Sequence, residues 1–172
     1  MVPARFRLPF DPIVRARDLW RLRWGPHSAP AAMAAATSIM RVQQLLLGAF
    51  DARLAAHGLT FARYEALVLL TFSSAGELPM SKVGERLMVH PTSATNIVQR
   101  LAAQGFVDRV PNPRDGRGAL ARITPAGREV MEAATRDLVQ DEFSLAALST
   151  AELAQLFALL RKVRRAAGDF DA

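Results

Sequence analysis

The sequence predicts a mainly α-helical chain carrying one small β-hairpin. Apolar residues recur at three- and four-residue spacing through most of its length. The period changes only at 106–110 and 119–123, which are short and β-branched or alternating. Between those segments lies Pro111-Asn112-Pro113-Arg114-Asp115-Gly116-Arg117-Gly118, a run of turn formers and charges that fits a long hairpin tip.

The elements follow in order. Residues 1–30 read as an extension. In it Pro9-Phe10-Asp11-Pro12 makes a turn or cap, 13–24 a short helix with Ile13, Ala16, Trp20 and Trp24 on one side, and Gly25-Pro26 the stop. A long helix is expected over 31–57, with Ile39, Val42, Leu46, Phe50 and Leu54 in register, Leu45 and Leu47 widening the stripe, and Gly58 ending it. So apolar a helix wants a partner on its other side, a first hint of a dimer. Thr60 is expected to cap a buried helix over 61–72, and 73–79 reads as a loop. Two shorter helices, 81–87 and 91–104, are separated only by Met88-Val89-His90, and Gly105 closes the second. After the hairpin, Thr124-Pro125 starts a helix expected to run to about 146, the longest of the C-terminal elements. Ser149-Thr150-Ala151-Glu152 is a capping box opening a last helix with Leu153, Leu156, Phe157, Leu160 and Val163 on one face.

Composition narrows the function classes. The 172 residues are 51% hydrophobic and 22% charged, as in a globular protein. There is no cysteine, which excludes disulfides and thiol redox sensing and permits a reducing cytoplasm, the expected location. The N-terminus has no apolar core of a signal peptide, and no apolar run approaches the ~20 residues that span a bilayer, so no membrane is expected. A net charge of +6, nearly all from arginine, attracts phosphate polymers and anionic surfaces, or simply solvates the surface. Where the arginines sit has to decide.

Helix, short helix, tight turn, helix and β-hairpin in that order make a winged helix-turn-helix. In 91–104, Ala94, Ile97, Val98 and Leu101 form a core stripe, while Thr92, Ser93, Thr95, Asn96 and Gln99 face the other way. An ordinary solvent face favours Glu and Lys, which are better helix formers than Ser, Thr and Asn. Short neutral polar side chains suit base edges instead, since Asn and Gln pair adenine at two points and Thr touches a thymine methyl. The alternative is N-terminal capping with an unremarkable polar face. In the preceding helix Val83 and Leu87 point inward and Lys82 and Arg86 outward, where a first helix crosses phosphates; Arg100 joins them, and His90 stands at the N-cap of the second. On the hairpin, Arg109, Arg114, Arg117 and Arg122 cluster around the Gly/Pro loop, with Asp115 placed to hold Arg117. Arginines on such a loop reach phosphates or a narrow minor groove; the bland reading is a solvated loop.

Asp115-Gly116-Arg117, followed after five residues by Ile123-Thr124-Pro125-Ala126-Gly127-Arg128, resembles the wing signature of the multiple-antibiotic-resistance regulator (MarR) family. Thr95-Asn96-Ile97-Val98-Gln99-Arg100-Leu101, then Gly105-Phe106-Val107-Asp108-Arg109, is similar to that family's recognition helix and first wing strand. The resemblance covers roughly residues 31–166. It implies a homodimer with 31–58 and 125–172 as dimerisation helices and 59–124 as the winged helix-turn-helix lobe. It further implies a pseudo-palindromic double-stranded DNA operator, usually repressed, and release by a small aromatic or phenolic anion. Without cysteine the peroxide-sensing branch is excluded. The extension with Trp20 and the acid Glu65 are similar to the urate-responsive branch, but Ile97 stands where that branch carries an arginine.

Candidate effector contacts are Trp20, Met40, Arg41, Gln44, Arg63 and Tyr64, where arginine suits a carboxylate and the rings suit stacking; each is also a plausible interface or surface side chain. His27, His57 and His90 lack metal-ligand spacing, so neither metal nor cofactor is expected. No nucleophile elbow or phosphate-binding loop is present, and the expectation is no enzyme. Two alternatives stay open: an architectural protein coating DNA without sequence preference, and a small-molecule-binding protein or enzyme with a vestigial winged helix.

Overall fold

The computed structural model describes residues 8–113 and 118–171. Helix α1 (Pro12–Trp24) starts where the Asp11 carboxylate accepts the free amides of Ile13 and Val14 at 2.8 and 3.2 Å, with Pro12 supplying no amide that needs a partner. It ends at Gly25, whose φ of +83° an L-residue resists. The Trp20 and Trp24 rings meet at 4.4 Å, and the Trp20 indole donates to the Ser28 carbonyl, folding α1 back against α2 (Pro30–Leu54).

Only the C-terminal end of α2 is buried, at Phe50 and Leu54. A 3-10 turn (Ala55–His57) and the left-handed Gly58 lead into α3 (Phe61–Thr71). The start of α3 differs from the expected Thr60 cap. Thr60 has the extended backbone of a cap but makes no capping bond; the Phe61 amide donates instead to Asp51 of α2 at 2.7 Å, a partner ten residues back.

Residues 73–79 are also more than a loop. Glu77–Pro79 forms β1, which pairs antiparallel with β3 (Ala119–Ile123), and β3 pairs in turn with β2 (Val107–Pro111). The sheet order is therefore β1-β3-β2. Arg122 and Glu77 face each other across one rung and are joined at 2.6 Å. Between β1 and β2 lie α4 (Met80–Arg86) and α5 (Pro91–Ala103).

The core fills the space between these elements and α6 (Pro125–Gln140). Leu54, Leu67, Leu70, Val83, Val98, Leu101, Val107 and Leu138 lose all or nearly all contact with water, and no charged side chain is buried among the described residues. In the 67–70 run only Leu67 and Leu70 are fully buried. Thr124 begins α6 as its composition suggests: its hydroxyl accepts the Gly127 amide at 3.0 Å and donates to the Gly105 carbonyl at 2.8 Å. Gly127 lies against the Phe106 carbonyl so closely that a β-carbon would fall on the oxygen.

Helix α6 stops at Gln140, short of the expected 146. Glu142, Phe143 and Ser144 all take left-handed φ values, +45°, +51° and +59°, so the chain turns sharply before α7 (Thr150–Ala166). Three contacts hold that turn. Arg53 of α2 pairs with Asp141, the Ser144 hydroxyl donates to Asp141, and the Phe143 ring stands edge-on to Phe50. One helical turn away, His57 meets Asp137 at 2.7 Å. With α6 cut short, α7 is the longer of the two, 17 residues against 16. Its capping box is complete, Ser149 and Glu152 each accepting from the other's backbone amide.

Two outcomes follow. Gly127→Ala forces α6 away from the start of β2 and is expected to lose at least the ~1–3 kcal/mol of ordinary overpacking; an unchanged urea midpoint would contradict that packing. The Ser144 hydroxyl, then the Arg53 guanidinium, hold the Asp141 carboxyl below the usual aspartate range. A lowered folded-state pKa contributes stability above the unfolded value of about 3.9, lost as pH falls through the folded one. The melting-temperature gap between the protein and Asp141→Asn should therefore be full at pH 6 and narrow below pH 4.

Candidate nucleic-acid interface

Helix α5 is held from below and left open above. Ala94, Val98 and Leu101 are buried and Ile97 half-buried, so the periodic stripe faces the core. Thr92, Ser93, Asn96, Gln99 and Arg100 are exposed on the other side, with Thr95 half-buried at its edge. His90 caps the helix through Nδ1, which accepts the Thr92 amide at 3.3 Å, while the rest of the ring is exposed. The exposed N-terminal turn thus carries hydroxyl and amide groups and no fixed charge.

Helix α4 lies against α5 at Gly84, where a β-carbon would touch Ala94 and the Val89 carbonyl, each at 3.4 Å. Val83 is buried beside it, and Lys82 and Arg86 point outward. Lys82 is not alone: its ammonium spans both oxygens of Glu85 at 2.7 and 3.0 Å. This i, i+3 pair is legible in the sequence and gives Lys82 a competitor for any phosphate.

The wing stands on the other flank of α5. Its core-facing residues are Val107, Ala121 and Ile123, Leu120 is buried on the opposite face of β3, and Arg109 is exposed. The Asn112 amide donates to the Gly118 carbonyl at 3.1 Å and closes the base of the tip. Arg114, Asp115 and Arg117 lie outside the described residues. Arg122, grouped by sequence with the wing arginines, is paired with Glu77, a partner hidden from sequence by the missed strand β1.

The six candidate effector residues fare differently. Trp20 is engaged by Ser28 and Trp24. Tyr64 is buried, its hydroxyl 3.0 Å from that of Thr135. Arg63 is a strut, donating to the Gly58 carbonyl, Thr60 and Gln104 at 3.0–3.3 Å and so joining α3 to the end of α5. Met40 and Gln44 are exposed on α2, with Arg41 half-buried. The structure thus gives three of the six partners within the fold instead of an open site. Glu65 keeps solvent contact, yet partial burial raises its carboxyl pKa. No cluster of three or more His, Asp or Glu side chains is placed to hold a metal among the described residues. None of the helices there is long and apolar enough to cross a membrane.

The architecture and sequence match proteins already known. A family model described as "MarR family" matches residues 57–118. A solved MarR family transcriptional regulator from Streptomyces coelicolor is 63% identical, with a TM-score of 0.77, over 83% of this chain and 99% of that one. The chain belongs to the MarR family. Among curated relatives, an HTH-type transcriptional regulator of Mycobacterium tuberculosis is 38% identical over 68 residues, 40% of this chain; the match spans 48%, about half, of that relative's length. A mutant MarR from Escherichia coli, solved in complex with operator DNA, is 27% identical with a TM-score of 0.67, covering 74% of this chain and 91% of that one.

Proposed function

We propose that this MarR-family chain is a homodimeric regulator that binds a pseudo-palindromic duplex in a sequence-specific way. The observation that carries the reading is the exposed face of α5. A helix N-terminus that is neutral, short-chained and rich in hydrogen-bonding groups, flanked by Lys82, Arg86 and Arg100, separates base readout from phosphate positioning. Thr92, Ser93, Thr95, Asn96 and Gln99 would face base edges, His90 the adjoining backbone, and the wing arginines Arg114 and Arg117 with Asp115 the neighbouring groove. The likeness to the E. coli protein solved with operator DNA supports the same use of this surface. A coat without sequence preference would need charge alone and gains nothing from Asn96 and Gln99.

The dimer reading rests on apolar surface that one chain leaves uncovered. Ile39, Val42 and Leu45 of α2 remain 42–46% exposed, and Phe157, Leu159 and Val163 of α7 57–61%. Both helices carry exposed apolar side chains, and a second copy would bury them while setting two α5 helices one duplex turn, about 34–36 Å, apart. A dimer lying on a promoter excludes polymerase, so repression is the expected sign where operator and promoter overlap.

Selection from random duplexes, followed by competition against scrambled duplex at one fixed near-physiological salt, tests the regulator reading. A preference of ~10³-fold or more supports it, and equal affinity for both duplexes supports the coating alternative. Asn96→Ala is expected to lower the specific-to-non-specific ratio by about 1–3 kcal/mol in fluorescence anisotropy; an unaltered ratio removes Asn96 from base reading. Sedimentation equilibrium should give the mass of two chains at micromolar concentration, and a single-chain mass there contradicts the dimer.

A further inference from the structure

We infer that Met88, in the turn between α4 and α5, reads the 5-methyl group of a thymine in the bound duplex. The inference rests on the regulator reading above and adds an apolar contact to a face so far described as polar.

Two features of Met88 go uncompensated in the chain itself. Its φ is +51°, in the left-handed region that glycine enters freely and a β-carbon resists. Its side chain is 80% exposed although it is a large apolar group. The turn does not require that side chain: it is closed by backbone bonds, Met88 to the Glu85 carbonyl at 3.3 Å and Val89 to the Gly84 carbonyl at 3.0 Å. Glycine would satisfy the geometry better, and a polar residue would satisfy solvent better. A strained backbone bearing an outward apolar group is the pattern of a residue kept for what it touches.

Position indicates the occupant. Met88 lies on an open, mainly apolar groove between α4 and α5 that it shares with Met80, Gly84, Val89, Pro91 and Thr95, together with Ser81 and Glu85, whose carboxylate is held by Lys82. Thr95 belongs to the proposed reading face, and Arg86 and His90 stand two residues to either side of Met88 in the chain, both exposed. The apolar patch is therefore continuous with the surface assigned to the duplex. In a major groove the base edges offer one apolar feature, the thymine C5-methyl. An unbranched thioether with free torsions suits so small a target.

The test is parallel selection from one random duplex library with the protein and with Met88→Gly. Glycine keeps the left-handed turn, so the variant should melt at the same temperature or higher, which separates contact loss from misfolding. The expected result is a thymine in each half-site that the variant no longer selects. Replacing it by deoxyuridine should weaken the parent about fourfold, the value of one buried methyl group, and leave the variant unaffected. Identical consensus and identical uracil penalties in both proteins would overturn the inference. So would a uniform loss across all sequences, which marks a sugar–phosphate contact, or unchanged duplex binding, which leaves the patch to a protein or small apolar ligand. A parent that selects no consensus at all sinks the regulator reading itself, and that outcome is visible without the variant.

Discussion

The Thr124 hydroxyl joins the parts of this fold that have to act together. It donates to the carbonyl of Gly105, just past the end of α5, and accepts the amide of Gly127 in the first turn of α6. The Thr124 amide donates to the Phe106 carbonyl, the atom against which Gly127 packs without a β-carbon. One residue thus fixes the end of α5, the start of the wing and the direction of the helix that leaves the lobe. The three-stranded sheet closes on the same point, since β3 runs directly into Thr124 and the Ile123 amide bonds back to Gly76. Loosening this junction would let the wing and α5 move independently, and under the proposed regulator reading the two have to meet one duplex together.

Around the junction the chain divides by what it can bury. Residues of α3, α4, α5, α6 and the sheet bury one another. Helix α1 packs on one side of α2, yet Ile39, Val42, Leu45 and Leu47 of α2 and Leu156, Phe157, Leu159 and Val163 of α7 stay exposed. The lobe fills its own core, whereas these helices leave apolar side chains for which the proposed second copy would supply a partner. This division also explains why so little of α2 is buried in a helix of 25 residues.

Elements whose reasons are local were legible in the sequence. Pro12, Pro91 and Pro125 start helices, Gly58 and Gly105 stop them, and the Ser149–Glu152 box opens α7 as its spacing requires. Features that depend on a distant partner were not. The Phe61 amide takes Asp51 in place of Thr60 because the end of α2 packs alongside. Strand β1 has three residues, too few for alternation to register, and exists because β3 offers it an edge. The break after Gln140 follows from Arg53 and Phe50, which hold a left-handed turn that composition gives no reason to expect. The site divides in the same way. The inward and outward faces of α5 follow from periodicity, whereas Arg63 and Tyr64, chosen for their chemistry, are engaged by Gln104 and Thr135, far away in sequence. Met88 carried no signal beyond a place in a turn; only its backbone angle and exposure set it apart.

The two contacts that join the end of α2 and the turn after it to the end of α6 have a mechanical meaning. Arg53, in the last turn of α2, and His57, in the 3-10 turn after it, are four residues apart, as are Asp137 of α6 and Asp141 just past its end. The pairs cross in opposite order, so the two segments run antiparallel. A single bridge is a pivot that leaves two rods free to swivel and slip. Two rungs form a rack: slippage of less than a full turn breaks both at once, while rocking about the line through them stretches neither. Two such contacts oppose sliding of the segment along α6 more than they oppose tilting about the line through them.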